Sequence, residues 1–223
     1  MTSYGGDPTK QFVEIRTTAA GQTVTTNSVL AAFDTSGAYI ADVLVVPGNL
    51  SNGTSGIRWI MATSSFIGVT PDFTIPSGII PTAGGMICWG APGSVPPSPG
   101  SWDHTVPGNY VDCVAYGSYS GPINPHVSAP TPLTADGHSL TRVAAGTNDA
   151  TAFACSDPAT PTNNMPASGS LPATTACPSG PATASVVPTA PTWALVLFTV
   201  ALLTGGTVIL GRRQDRLAAR ARR

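Results

Sequence analysis

The sequence predicts an all-β domain, a sandwich or barrel, held at a membrane by one C-terminal helix. Three observations predict it. Short apolar runs with period two, punctuated by Gly and Pro, fill the first 157 of 223 residues. No stretch before residue 190 has a helical period. Finally, Trp193 to Leu210 is an uncharged run of 18 residues, about 27 Å long as a helix at ~1.5 Å per residue. A membrane span needs roughly 17–25 such residues.

About eight strands are expected. Gln11 to Arg16 alternates, placing Val13 and Ile15 on one face and Glu14 and Arg16 on the other. Ser28 to Phe33 follows and closes at the turn Asp34-Thr-Ser-Gly37. Ala38 to Val46 is β-branched and stops at Pro47-Gly48, and Ile57 to Met61 puts Ile57, Trp59 and Met61 on one face. Phe73–Ile75, Met86–Trp89, Tyr110–Tyr116 and Ser139–Val143 complete the set. The Pro-, Gly- and Ser-rich connections 91–108 and 117–134 read as surface loops, where binding residues tend to lie.

From residue 158 to 191 the chain is almost wholly Pro, Ala, Thr, Ser and Gly without a charged side chain. That composition predicts a disordered, partly extended linker. Four parts are therefore expected: a sandwich over 1–157, a linker over 158–191, a transmembrane helix over 192–211 and a basic tail over 212–223. Trp193 suits one membrane interface, Leu210 ends the apolar run, and Arg212 and Arg213 mark the cytoplasmic side.

Charge supports this orientation. Before Gly211, four basic residues stand against ten acidic ones, leaving −6; after it, six arginines and Asp215 leave +5. The partner expected of residues 192–211 is the lipid bilayer, with the N-terminal domain extracellular or periplasmic. Nucleic acid is not expected, because the large domain has no basic stripe.

Cys88, Cys113, Cys155 and Cys177 show no Cys-x-x-Cys spacing, which argues against a zinc knuckle or a thioredoxin-type redox motif. In a non-cytoplasmic domain they read as two disulfides. Three connectivities are possible; Cys88–Cys113 within the domain and Cys155–Cys177 beside the linker are preferred. Cys113 shares the small apolar side of its strand with Val111 and Ala115, and Cys88 shares a face with Met86, so a bridge through the core is expected. The chain opens Met-Thr-Ser-Tyr-Gly-Gly-Asp-Pro, without a basic or apolar leader. Either Met1 lies inside a longer reading frame or the C-terminal segment inserts by itself; the strand beginning at Gln11 favours the first.

Several motifs in order resemble the lamin-tail-like domains of bacterial secreted proteins. They are Phe12-Val-Glu-Ile15, Ile75-Pro-Ser-Gly78, Pro81-Thr-Ala-Gly-Gly85, Val111-Asp-Cys-Val-Ala-Tyr-Gly117 and Asp136-Gly-His-Ser-Leu-Thr-Arg142, with a closing stretch from Asn148 to Asn163. The resemblance implies an immunoglobulin-like β-sandwich without established catalytic residues. The C-terminus is similar in layout to bacterial sorting tails of the PEP-CTERM and IPTL-CTERM kind, although neither Pro-Glu-Pro nor Ile-Pro-Thr-Leu occurs. That likeness implies a sorting or processing protease as a partner.

No cofactor, metal ligand set or catalytic residue is assigned from the sequence. Asp103, His104, His126 and His138 supply the inventory of a hydrolase, but no Gly-x-Ser-x-Gly elbow accompanies them. Trp102 and Tyr119, in the two long loops, are the aromatics available for stacking on a glycan or protein, unless they close over the sandwich rim. The expected function is a non-catalytic envelope protein displaying a sandwich for adhesion, glycan or protein binding, or envelope structure. The alternative is an envelope hydrolase using the 91–134 loops.

Overall fold

β1 (Phe12–Arg16), β4 (Arg58–Thr63) and β5 (Phe73–Ile75) form one sheet in the order β1-β4-β5. A second sheet has the order β3-β2-β6-β7, built from β2 (Val29–Phe33), β3 (Tyr39–Val45), β6 (Gly84–Gly90) and β7 (Asp112–Gly117). A hairpin-like pair, β8 (Ser139–Arg142) with β9 (Phe153–Ser156), completes the set, and a single helical turn, α1 (Asp149–Ala152), precedes β9. Among the described strands, only β4 and β5 pair in parallel. This computed structural model describes residues 7–91, 96, 101–133, 137–173 and 176–177. Trp193, Leu210, Arg212 and Arg213 lie outside them, and no helix of the described residues is long and apolar enough to cross a membrane.

The architecture is an all-β sandwich, and alternation along each strand builds it. Leu30 and Ala32 of β2, Val43 of β3 and Ile87 of β6 meet Trp59 and Met61 of β4 and Ile75 of β5 in the core between the sheets. Val13 and Ile15 reach the same core, as their shared face requires. The other faces are covered as well. All five residues of β2 are buried, and so are the last five of β4. Such near-continuous apolar runs mark strands enclosed on both faces.

Two segments supply the outer cover. Tyr110, Tyr119 and Val127, with Trp102 packed beside them, lie over Val29, Ala31 and Phe33 of β2 and Met86 of β6. The described parts of the long connections thus pack over the sheet through these residues instead of standing free of it. Gly37 shows how closely they fit: its φ is +84°, and a Cβ there would stand 2.9 Å from Pro122 Cδ and 3.1 Å from the Tyr119 hydroxyl. On the opposite side, Ala159 and Leu171 cover Phe12, Ile60 and Ala62 of the three-stranded sheet.

That second cover corrects an expectation. Residues 158–171 were expected to begin a disordered linker, yet Ala159 is 0% and Leu171 2% exposed. The segment is also held by hydrogen bonds. The Asn164 amide donates to both Asp72 carboxylate oxygens at 3.1 and 3.0 Å, the Thr162 amide to Glu14 Oε2 at 2.7 Å, and the Leu171 amide to the Ala159 carbonyl at 2.9 Å. A composition without charge reads as linker, but small residues with two or three apolar anchors lie flat on a sheet equally well.

Both disulfides form as preferred, Cys88–Cys113 and Cys155–Cys177. Their setting differs from the expectation in one respect. Cys88 and Cys113 sit directly opposite each other on β6 and β7, with Cα atoms 4.1 Å apart. They face the loop cover with Ala115, while Val114 and Tyr116 face the other sheet. The small residues of β7 thus mark the side on which the aromatic loop layer rests, and the first disulfide joins neighbouring strands beneath that layer instead of in the core between the sheets.

Candidate functional site

Between the sheets, on the flank bounded by β1 and β7, the sandwich opens into a cleft of about 1040 Å³. Its apolar wall includes Ile15, Trp59, Trp89, Val114, Leu140 and Phe153. The order of strands explains the opening. β1 and β7 are edge strands, and β8 and β9 pair with each other instead of extending either sheet. Trp59 meets Trp89 edge-on, with ring centroids 5.1 Å apart, and Phe73 at 5.8 Å. The aromatic wall is therefore braced from behind.

Three arginines stand on the rim, and two are neutralised locally. Arg58 pairs with Glu14 at 3.1 Å. Arg142 binds both oxygens of Asp112 at 2.9 and 2.7 Å and lies 4.4 Å over the Phe153 ring. Arg16 is exposed on β1, and among the described residues it takes part in no ion pair. Burial pushes the Glu14 carboxyl above its ordinary range, against the Thr162 amide and Arg58 that favour its charged form. The rim is thus basic overall, with one uncommitted guanidinium beside an apolar wall.

The side chains singled out from the sequence are placed elsewhere. Tyr119 is buried and its hydroxyl donates to the Pro122 carbonyl at 2.8 Å. Trp102 is half-buried against Tyr110, with ring centroids 5.5 Å apart, and against Gly90. Both close over the sheet; Tyr119 offers no open stacking face, and Trp102 stays partly exposed. His104 is 6% exposed, packs edge-on against Phe33 at 5.1 Å and meets Asn124 Nδ2 through Nδ1 at 3.2 Å. Burial lowers its pKa. Asp103 is occupied by the Thr105 amide and hydroxyl at 2.9 and 2.7 Å, and the His126 amide donates to Asn124 Oδ1 at 2.8 Å. Asn124 therefore joins the two loop histidines, but Asp103, His104 and His126 do not line the cleft. Asp34 makes the expected turn, accepting from the Ser36 and Ala38 amides at 2.8 and 2.9 Å, while Asp136 lies outside the described residues.

Two groupings escaped the sequence. The cleft joins β1, β4, β6 and the β8–β9 pair, and only Trp59, alternating with Ile57 and Met61, gave a local sign of an aromatic inner face. The second grouping brings His138 beside Cys155, Cys177 and Asp157, residues separated by up to 39 positions. Set against known proteins, the chain matches no family model, no curated protein and no solved structure.

Proposed function

We propose that this chain is a non-catalytic, envelope-anchored binding module. In this reading an immunoglobulin-like, lamin-tail-like sandwich stands outside the membrane, residues 192–211 hold it there, and the arginine tail remains inside. The −6/+5 division of charge, the 18-residue apolar run and the pairing of all four cysteines support the orientation. A sorting protease acting at the C-terminus belongs to the same reading through the layout of the tail.

The inter-sheet cleft is the proposed contact region, and its lining carries the choice of ligand. Glycan stacking on Tyr119 loses its support because that ring is packed, and the half-buried Trp102 does not line the cleft. An apolar wall with one uncommitted arginine suits a small amphiphilic anion: an acyl or aromatic body with a single carboxylate, sulfate or phosphate. The volume, about 1040 Å³, lies at the upper end of ordinary ligand sites, roughly 300–1,000 Å³.

The test uses residues 1–178, which contain the described cores and both disulfides. Anilinonaphthalene sulfonate, an apolar body with one anionic group, is the probe. Saturable binding at one site is expected, with Arg16→Gln weakening it about fivefold to tenfold, or ~1–1.4 kcal/mol. Val114→Trp, which fills the cleft, should abolish it. Binding that is unchanged in both variants would sink the reading.

A further inference from the structure

The grouping around His138 can hold a metal ion. His138 immediately precedes β8 and is completely buried; Cys155 lies on β9; and Asp157 follows that strand. One ring nitrogen of His138 and the Sγ atoms of Cys155 and Cys177 all lie within 4.8 Å of one another. His138 Nε2 stands 3.5 Å from Asp157 Oδ2, and the same oxygen accepts the Cys177 amide at 3.3 Å. Two sulfurs and an imidazole thus converge, and the Asp157 carboxylate stands beside the imidazole. That donor set is one that zinc takes in tetrahedral sites.

The two disulfides also differ in access. Cys88 and Cys113 are 0% and 2% exposed beneath the loop layer. Cys155 and Cys177 are half-buried, and Asp157 beside them is exposed. Exchange requires attack on an accessible sulfur. A reductant therefore reaches the second bridge first and leaves the first intact.

We propose that Cys155, Cys177, His138 and Asp157 form a Zn²⁺ site when the Cys155–Cys177 bond is reduced, so that the disulfide and the metal are alternative closures of one cluster. A dithiol reductant supplies two electrons and two protons, becomes a disulfide itself, and leaves two thiols on the chain. Zinc binding then releases the two thiol protons as both sulfurs bind as thiolates. Either closure ties residue 177 to β9, and so secures both ends of the segment that covers Phe12, Ile60 and Ala62. This inference is independent of the proposed ligand cleft.

The test uses the full chain in detergent, with Co²⁺ and Zn²⁺ as the probes. After reduction with a phosphine, one equivalent of Co²⁺ should give the visible bands of a tetrahedral site together with sulfur-to-cobalt charge transfer. Zn²⁺ should displace it one for one, and the oxidised chain should give neither signal. Cys155→Ser should lose most of the charge-transfer band. His138→Ala and Asp157→Asn should each weaken zinc by tenfold or more, while Cys88→Ser/Cys113→Ser should bind as the parent does. Because His138 is buried, His138→Gln is read alongside His138→Ala, and circular dichroism identifies any variant that has lost the sheet. Failure of the reduced parent to take up cobalt would overturn the proposal. So would equal binding by oxidised and reduced chain, or full affinity in a folded Cys155→Ser variant.

Discussion

Asp149 offers a quantitative test of the packing beside β7. Its Oδ2 accepts the Ala115 amide at 2.8 Å, on the edge of β7 that faces away from β6, while Oδ1 is buried without a hydrogen-bond partner among the described residues. Burial pushes the carboxyl from an ordinary 3.8 up to about 7, against the opposing pull of the Ala115 amide and Arg142. The folded state therefore holds a proton that the unfolded chain has already released. Between those values the folded state binds more protons, so stability falls as pH rises. The contribution is fully present below about pH 4 and is lost as pH passes through about 7.

About three pH units at ~1.36 kcal/mol per unit set a ceiling of ~4 kcal/mol. Access of water through the neighbouring exposed Arg142–Asp112 pair brings the expectation nearer ~2 kcal/mol. Asp149→Asn keeps an acceptor for the Ala115 amide but cannot ionise. Urea unfolding of parent and variant at pH 4.5 and 7.5 is the assay. The parent should lose about 2 kcal/mol more than the variant across that interval. A difference between the two proteins that stays constant with pH would refute the reasoning.

Three further outcomes follow from the same structure. Leu171→Ala should destabilise the domain by ~2–4 kcal/mol in urea unfolding, whereas a true linker residue would leave the midpoint unchanged. Replacing Cys88 and Cys113 together by Ala should cost ~2–4 kcal/mol, because the bridge closes a loop with a sequence separation of 25 residues; an unaltered midpoint would contradict its structural role. Protease added to intact cells should remove the sandwich while leaving the arginine tail protected, as epitope tags at the two ends would report. An untouched N-terminal tag would place the domain on the wrong side.

Much of the fold was legible because strands announce themselves locally. The eight expected strands are all present, and Cys88 and Cys113 pair as their neighbouring strands allow. β9 was missed because Phe153-Ala-Cys-Ser is too short to show a period. Facing was harder to read. Cys113 and Ala115 look like a core face because they are small and apolar, yet β7 is covered on both sides, and period two cannot say which side meets the other sheet. The packed segment 158–171 was hidden for a related reason. Its anchoring rests on Asp72 and Glu14, and no local pattern links those carboxylates to Asn164 and Thr162. The cleft and the His138 cluster are products of tertiary placement, so neither leaves a spacing motif.

The central claim, an amphiphile site between the sheets, can be tested most directly by contact quenching of tryptophan. Residues 1–178 contain Trp59, Trp89 and Trp102, of which the first two line the cleft. A brominated alkyl carboxylate quenches only rings it touches. In Trp102→Phe, emission from Trp59 and Trp89 should fall saturably and recover when Arg16→Gln is added at the same ligand concentration. Quenching that instead disappears with Trp102 would place the ligand over the loop layer and contradict the account.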